Sequence, residues 1–210
     1  MGLIVHPPEF IRRFFQNYTW KLPPQTPDKK ILYLTFDDGP IPEMTIGTLD
    51  MLAQYNAKAT FFCVGDNVRK YPDLYKRILI EGHRTGNHTF NHLKGTKTKV
   101  KDYIENVEKA DKYIQSDLFR PPHGMLKKRQ TKILVQTRHI ILWDVLTKDY
   151  DKRISPQKCW QNVEENVSPG AIIVFHDNIK AMANQRYALK KTLETYSQQG
   201  YQFLGIPHFS

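Results

Sequence analysis

Blocks of apolar and polar positions divide this chain into strand-length and helix-length segments. The run Ile31 to Phe36 (ILYLTF) is apolar and of strand length, and it empties into Asp37-Asp38-Gly39-Pro40, which turns the chain. Met44, Leu49, Leu52 and Ala53 share a helical face over 43–56, and Ala59 to Val64 (ATFFCV) predicts a second buried strand. A helix is predicted over 67–81, closed by Gly82. Val100, Tyr103, Ile104, Val107, Ala110, Tyr113 and Ile114 follow the helical period closely, so 98–115 is a helix. Phe119 to Pro122 is extended, because the prolines exclude helix there. Next come a helix over 126–136, a strand over 139–145 (HIILWDV) and a helix over 155–167 with Pro156 at its start. Ala171 to Phe175 (AIIVF) is a buried strand, 183–199 a helix ending at Gly200, and 201–206 the last strand.

Repeated strand-then-helix units argue for a mainly parallel α/β sheet, either a barrel or an open doubly wound sheet. Polar and titratable residues follow the strands: Asp37-Asp38 after the first, His123 after Arg120-Pro-Pro, Asp149 beyond 139–145, and His176-Asp177 after 171–175. Strand carboxyl ends share one face in parallel α/β proteins. Five separated segments would thus deliver acids, histidines and an arginine to one place.

At 210 residues the chain supports one sizeable core. Residues 29–210 read as a single domain, and 1–28 as an N-terminal extension. Within that extension Glu9 to Tyr18 predicts a short amphipathic helix, apolar at Phe10, Ile11, Phe14, Phe15 and Tyr18. It could lie on a membrane, but packing against the domain is the expectation. The formal net charge of +10 favours an acidic partner, whether nucleic acid, an anionic membrane face or an acidic glycan. The basic residues are scattered (Lys94, Lys97, Lys99, Lys101, Lys127, Lys128, Arg129) and no nucleic-acid motif accompanies them, so no nucleic acid is expected. Two cysteines, Cys63 and Cys159, imply no disulfide framework. Met1 to Pro8 shows no basic start followed by an apolar stretch, and no run reaches membrane-span length. The expectation is a cytoplasmic protein, or an exported one whose leader has been removed.

His88-Thr89-Phe90-Asn91-His92 pairs two histidines four residues apart. On a helical turn that spacing sets two imidazoles side by side. Two histidines and one carboxylate leave a position open on a zinc ion, the catalytic rather than the structural pattern. Adjacent carboxylates such as Asp37 and Asp38 repel unless a cation lies between them or one holds a proton. His83 reads as a surface or loop histidine, and Trp143 as core or pocket wall.

In order and spacing, Thr35-Phe-Asp-Asp-Gly39, His88-Thr-Phe-Asn-His92, Arg120-Pro-Pro-His-Gly124, Trp143 through Asp149-Tyr150, and Val174-Phe-His176 resemble the motifs of the polysaccharide deacetylases, the NodB-homology or carbohydrate esterase 4 family. The resemblance spans about residues 31–206. It implies a distorted, incomplete (β/α) barrel and a metal-dependent amidase acting on N-acetylated sugars. It implies Asp38, His88 and His92 as ligands of Zn2+, with Co2+ or another divalent ion possible, and Asp37 as the general base. Arg120 would orient that base, the His123 backbone N–H would face the oxyanion, and His176 would be the acid with Asp149 as its partner. The substrate would be an N-acetylglucosamine-containing glycan such as peptidoglycan or a chitin-like oligomer. O-acetyl ester hydrolysis on a polysaccharide such as xylan, and non-catalytic glycan binding, are the alternatives. Four positions depart from the family pattern. His123 and Tyr150 replace aromatic Tyr and Trp, Leu146 replaces an acid, and Val174 replaces Leu, and these bear on substrate fit.

Overall fold

The computed structural model describes residues 4–24, 26 and 28–209. Residues 1–3, used in reading the absence of a leader, lie outside that set, as do Gln25, Pro27 and Ser210. The strands are β1 (Tyr18–Thr19), β2 (Ile31–Asp37), β3 (Ala59–Cys63), β4 (Arg84–Asn87), β5 (Leu118–Phe119), β6 (His139–Ile141), β7 (Val145–Leu146), β8 (Ile172–His176) and β9 (Gln202–Phe203). The helices are α1 (Glu9–Phe14), α2 (Pro42–Gln54), α3 (Gly65–Lys70), α4 (Pro72–Ile80), α5 (Val100–Asp111), α6 (Lys128–Leu134), α7 (Pro156–Glu164) and α8 (Met182–Gln198). Neighbouring strands run parallel in the order β1-β6-β5-β4-β3-β2-β8-β7, with β9 added at the start of β2.

The ends of that order, β6 beside β5 and β7 beside β8, belong to one stretch of chain. Residues 142–144 carry it across the gap, so the sheet curls into a distorted, incomplete barrel. The predicted strand 139–145 is therefore two short strands: its first half pairs with β1 and β5 and its second with β8. Edge strand β1 lies upstream of residue 29, so the sheet begins inside the segment read as an extension.

Side-chain alternation sorts the interior. Leu32, Leu34, Phe36, Ile173 and Phe175 pack under the helices in the largest core cluster. Tyr33 and Ile172 belong to a second cluster with Phe62, Leu118 and Ile141, inside the barrel. Thr35, Asp37 and His176 follow on the same inward parity as Tyr33 and Ile172.

Several predicted elements change. The 67–81 helix is two helices, because Pro72 starts a new one and Tyr71 between them is not helical. The 98–115 helix is the shorter α5, and the 201–206 strand shrinks to two residues. Strand β4 has no apolar run to announce it. His83 is buried rather than on the surface: its Nδ1 accepts the Ala59 N–H at 3.2 Å and its ring meets Phe61 edge-on. Burial pushes its pKa down to about 4. Helix α1 turns its apolar side outward, with Phe10 73% and Phe14 81% exposed.

Candidate active site

Strand β2 ends on Asp37, which inward parity carries into the barrel mouth. Its Oδ1 accepts from Arg120 Nη1 at 2.7 Å. Arg120 is fully buried directly after β5 and held on every side. The same nitrogen donates to Thr35 Oγ1 at 2.7 Å, Nε to the Ile141 carbonyl at 3.1 Å and Nη2 to the Leu142 carbonyl at 2.9 Å, while the guanidinium lies 4.1 Å over the Phe62 ring. An arginine so confined can present its charge in one place only.

Asp38 follows with a positive φ of 80°, which swings its side chain away from that of Asp37. Gly39 comes next, and no larger residue fits there: a Cβ would meet Asp177 Oδ2 at 2.5 Å. Asp38 Oδ1 lies 3.1 Å from His92 Nε2 and 3.6 Å from His88 Nε2. The three ligand atoms fall within 4.8 Å of one another.

The histidine pair is not helical, as the spacing predicts, but sits in a loop after β4 whose left-handed residues Thr89 (φ 65°) and His92 (φ 58°) fold it back. The rings still come within 5.1 Å of each other. His88 Nδ1 donates to the Arg120 carbonyl at 2.7 Å, which leaves Nε2 as a lone-pair donor facing Asp38. Burial holds His88 neutral, with its pKa down at about 4.

Asp38 Oδ1 is buried and makes no hydrogen bond, while Oδ2 accepts from Asn178 Nδ2 at 2.5 Å. A buried carboxylate oxygen without a donor, faced by two imidazole nitrogens, fits a divalent cation. Burial opposes ionisation of Asp38, but the close approach of His92 and the charge of His176 outweigh it and hold its pKa far below the usual range.

His176 ends β8, directly opposite Asp37 in the β2–β8 register. Its Nδ1 lies 2.7 Å from Asp149 Oδ1, and its backbone N–H donates to Asp149 Oδ2, also at 2.7 Å. Asp149 is fully buried in the loop after β7. Burial alone would lower the His176 pKa, but the Asp149 charge and hydrogen bond dominate and raise it to about 9. Tyr150 closes over the ring at 4.7 Å, edge to face.

His123 stands at φ 60° in the turn after Arg120-Pro-Pro, its ring 5.1 Å from that of His92. Burial, then His92 and Lys94, lower its pKa. All eight predicted site residues thus meet at one end of the barrel. Asp37, Asp38, His88, His92, His123 and His176 line one cavity of about 480 Å³; Arg120 and Asp149 lie behind them. Trp143, Leu146, Tyr150 and Val174 form its apolar wall, and Lys94 and Lys180 also line it.

Three residues without a predicted role support the site. Asn178 holds Asp38. Thr35 bridges to Arg120 and, through its own hydroxyl, to the Ile173 carbonyl. Asp177 accepts from Thr45 and Thr48 beneath Gly39, and burial raises its pKa to about 7. The polar run His176-Asp177-Asn178 straight after an apolar strand is the signal that could have found two of them.

Residues 24–139, more than half of the chain, match the polysaccharide deacetylase family. The chain belongs to that family. This deacetylase is 33% identical over 195 residues to a peptidoglycan-N-acetylglucosamine deacetylase of Bacillus cereus, with 90% of each chain covered. It is 31% identical over 189 residues to the peptidoglycan-N-acetylmuramic acid deacetylase PdaC of Bacillus subtilis, covering 86% of this chain and 38% of that protein. A crystal structure of the peptidoglycan N-acetylglucosamine deacetylase Bc1960, in complex with a naphthalenyl N-oxidanyl-benzamide, superposes with a TM-score of 0.82 at 32% identity over 96% of both chains. As a deacetylase of this family the chain is a hydrolase of carbon–nitrogen amide bonds, and a divalent metal belongs to its chemistry.

Proposed function

We propose that this deacetylase removes acetyl groups from N-acetylglucosamine residues of peptidoglycan, with Asp37 as base and His176 as acid on either side of a cation held by Asp38, His88 and His92. The observation that carries the reading is the register pairing of Asp37 with His176 across β2 and β8, each with its own buried partner.

An amide is a weak electrophile and an amine a poor leaving group, so hydrolysis needs an activated water, a polarised carbonyl and a proton donor. The two-histidine, one-carboxylate set suits Zn2+, with Co2+ a workable substitute. Such an ion, when bound, polarises the acetyl carbonyl and makes water acidic enough to deprotonate near neutral pH. Asp37 takes the proton from the attacking water while Arg120 fixes the carboxylate through Oδ1. The backbone N–H of His123 donates to the carbonyl oxygen as it gains charge. His176, loaded by Asp149, passes its proton to the glucosamine nitrogen as the C–N bond breaks, leaving acetate and the free amine. Ester cleavage asks less of this acid, because an alkoxide leaves more readily than an amide anion.

Lys94 and Lys180, which line the cavity, favour peptidoglycan over a neutral chitin-like glycan, because its stem-peptide carboxylates answer their charge. A peptidoglycan substrate would put the working site at the cell wall; among the described residues no helix is long and apolar enough to cross a membrane. The test is acetate release, with mass-spectrometric loss of one acetyl group, from peptidoglycan fragments, chitooligosaccharide and acetylxylan, with zinc, with cobalt and after chelation. Peptidoglycan turnover that chelation stops and zinc restores is expected. Faster release from acetylxylan would replace the amide reading by the ester one, and saccharide binding with no release under any metal would leave a glycan-binding module.

A further inference from the structure

An ion pair decides which way α1 faces. Arg12 Nη2 reaches Asp144 Oδ1 at 2.5 Å, with the arginine side chain 13% and the aspartate 1% exposed. His6 and Lys21 approach the same carboxylate at 3.4 and 3.7 Å. Leu146 N–H donates to the Val5 carbonyl at 2.8 Å and Trp143 Nε1 to that of Ile4 at 3.2 Å, so the segment before the helix is tied to the wall of the catalytic cavity. With 3.6 residues per turn, positions two before and two after Arg12 lie on the far side of the helix. These are Phe10 and Phe14, and both point to solvent. Phe15, 45% exposed, continues the apolar surface.

Basic residues frame that surface. Arg13 stands on α1, 3.7 Å from the Glu9 carboxylate. Across a groove lined by Phe15, Asn17 and Tyr18 on one side and Lys128 and Lys132 on the other, α6 presents Lys128, Arg129 and Lys132 to solvent. Outward aromatic side chains ringed by lysine and arginine are the composition of an interfacial membrane contact.

We propose that the α1 face docks this deacetylase on an anionic lipid bilayer, with Phe10 and Phe14 entering the headgroup–acyl boundary and Arg13, Lys128, Arg129 and Lys132 meeting the lipid phosphates. A second copy of the chain fits less well. Two phenylalanines bury about 300–500 Å² between them, against roughly 800 Å² per partner in a stable interface. Two such faces would also oppose like charges. Docking here sets the catalytic cavity, whose Trp143 wall the same segment braces, beside the membrane surface.

The experiment is co-sedimentation of the full chain with vesicles of phosphatidylcholine alone and of equal parts phosphatidylcholine and phosphatidylglycerol. Binding to the mixed vesicles is expected, weakening with salt, with little binding to phosphatidylcholine. The double variant Phe10→Ser, Phe14→Ser should bind mixed vesicles at least about tenfold more weakly while hydrolysing a soluble acetylated oligosaccharide at the parent rate. Should that variant fail to fold, Phe14→Trp decides, since its emission should shift to the blue only with anionic vesicles. Equal binding to both vesicles, unchanged binding by the serine variant, or an unshifted Trp emission would overturn the proposal. So would a concentration-dependent dimer that the serine substitutions dissolve.

Discussion

Two buried carboxylates at the same end of the barrel each hold a cation, and the two cations differ in one respect. Asp37 bonds Arg120 and Asp149 bonds His176, both at 2.7 Å. Arginine does not release its proton at any working pH, whereas histidine does. The Arg120 side therefore suits the proposed proton acceptor, held still, and the His176 side the proposed donor, kept loaded. The proposed ligand trio belongs to the same cavity, with Asp38 adjacent in sequence to Asp37 and held by Asn178, two residues beyond His176. The proposed proton flow, from water to Asp37 and from His176 to the amine, agrees with which partner can titrate.

The largest break in this comparison removes the proposed ligand trio beside the two pairs. His88→Ala or His92→Ala should abolish stoichiometric metal in elemental analysis, and turnover with it. Asp38→Asn should weaken metal binding, with partial recovery in excess zinc, because the orphan oxygen Oδ1 loses its charge. Full metal content in both histidine variants would remove the trio from its proposed role.

On the Arg120 side, Asp37→Asn should keep the metal and lose about 10²- to 10⁴-fold in turnover, the usual span for a positioned base. Equal metal loss in Asp37→Asn and Asp38→Asn would mean that the neighbours share one task. On the other side, His176→Ala should cost about a hundredfold or more in kcat with the metal still bound. Acetate release from an activated acetyl ester, whose leaving group needs no proton, should fall much less. An equal loss on amide and ester would argue that His176 shapes the cavity and donates nothing.

Much of this arrangement was legible in the chain. The apolar run Ile31 to Phe36 forecasts the strand that delivers Asp37, and the polar residues after each strand forecast where the strands converge. The histidine pair was legible by spacing, although a loop and not a helix carries it. Left-handed Thr89 and His92 bring the rings together by a backbone path that apolar periodicity does not encode. Strand β4 escaped notice because its residues are polar or small: Asn87 is buried on hydrogen bonds to Asp111 and the Val107 carbonyl, not on apolar packing. The break in 139–146 was hidden because the same apolar run serves two different neighbours in turn. Helix α1 is the sharpest reversal. Its periodicity marks Phe10 and Phe14 as a burying face, but Asp144, distant in sequence, binds Arg12 and turns that face outward.

The finest test of the two-pair comparison is Asp149→Asn. A general acid works only while it carries its proton, and His176 keeps its proton up to about pH 9 because Asp149 outweighs the cost of burial. A pKa raised in this way keeps the donor loaded below the ordinary imidazole value of 6.5, and the donor empties as pH rises through about 9. The neutral amide of Asn removes the charge that raises the pKa, while burial, which lowers it, remains. The alkaline limb of the pH–rate profile should then move down, toward or below 6.5. Near pH 7 the cost is about tenfold, smaller than that of losing His176 itself. A bound cation offsets part of what Asp38 contributes to His176, so variant and parent are compared with metal present in both. The acid limb should stay in place. An alkaline limb that does not move, or that moves up, would separate Asp149 from proton donation and leave it as an anchor for the His176 backbone N–H.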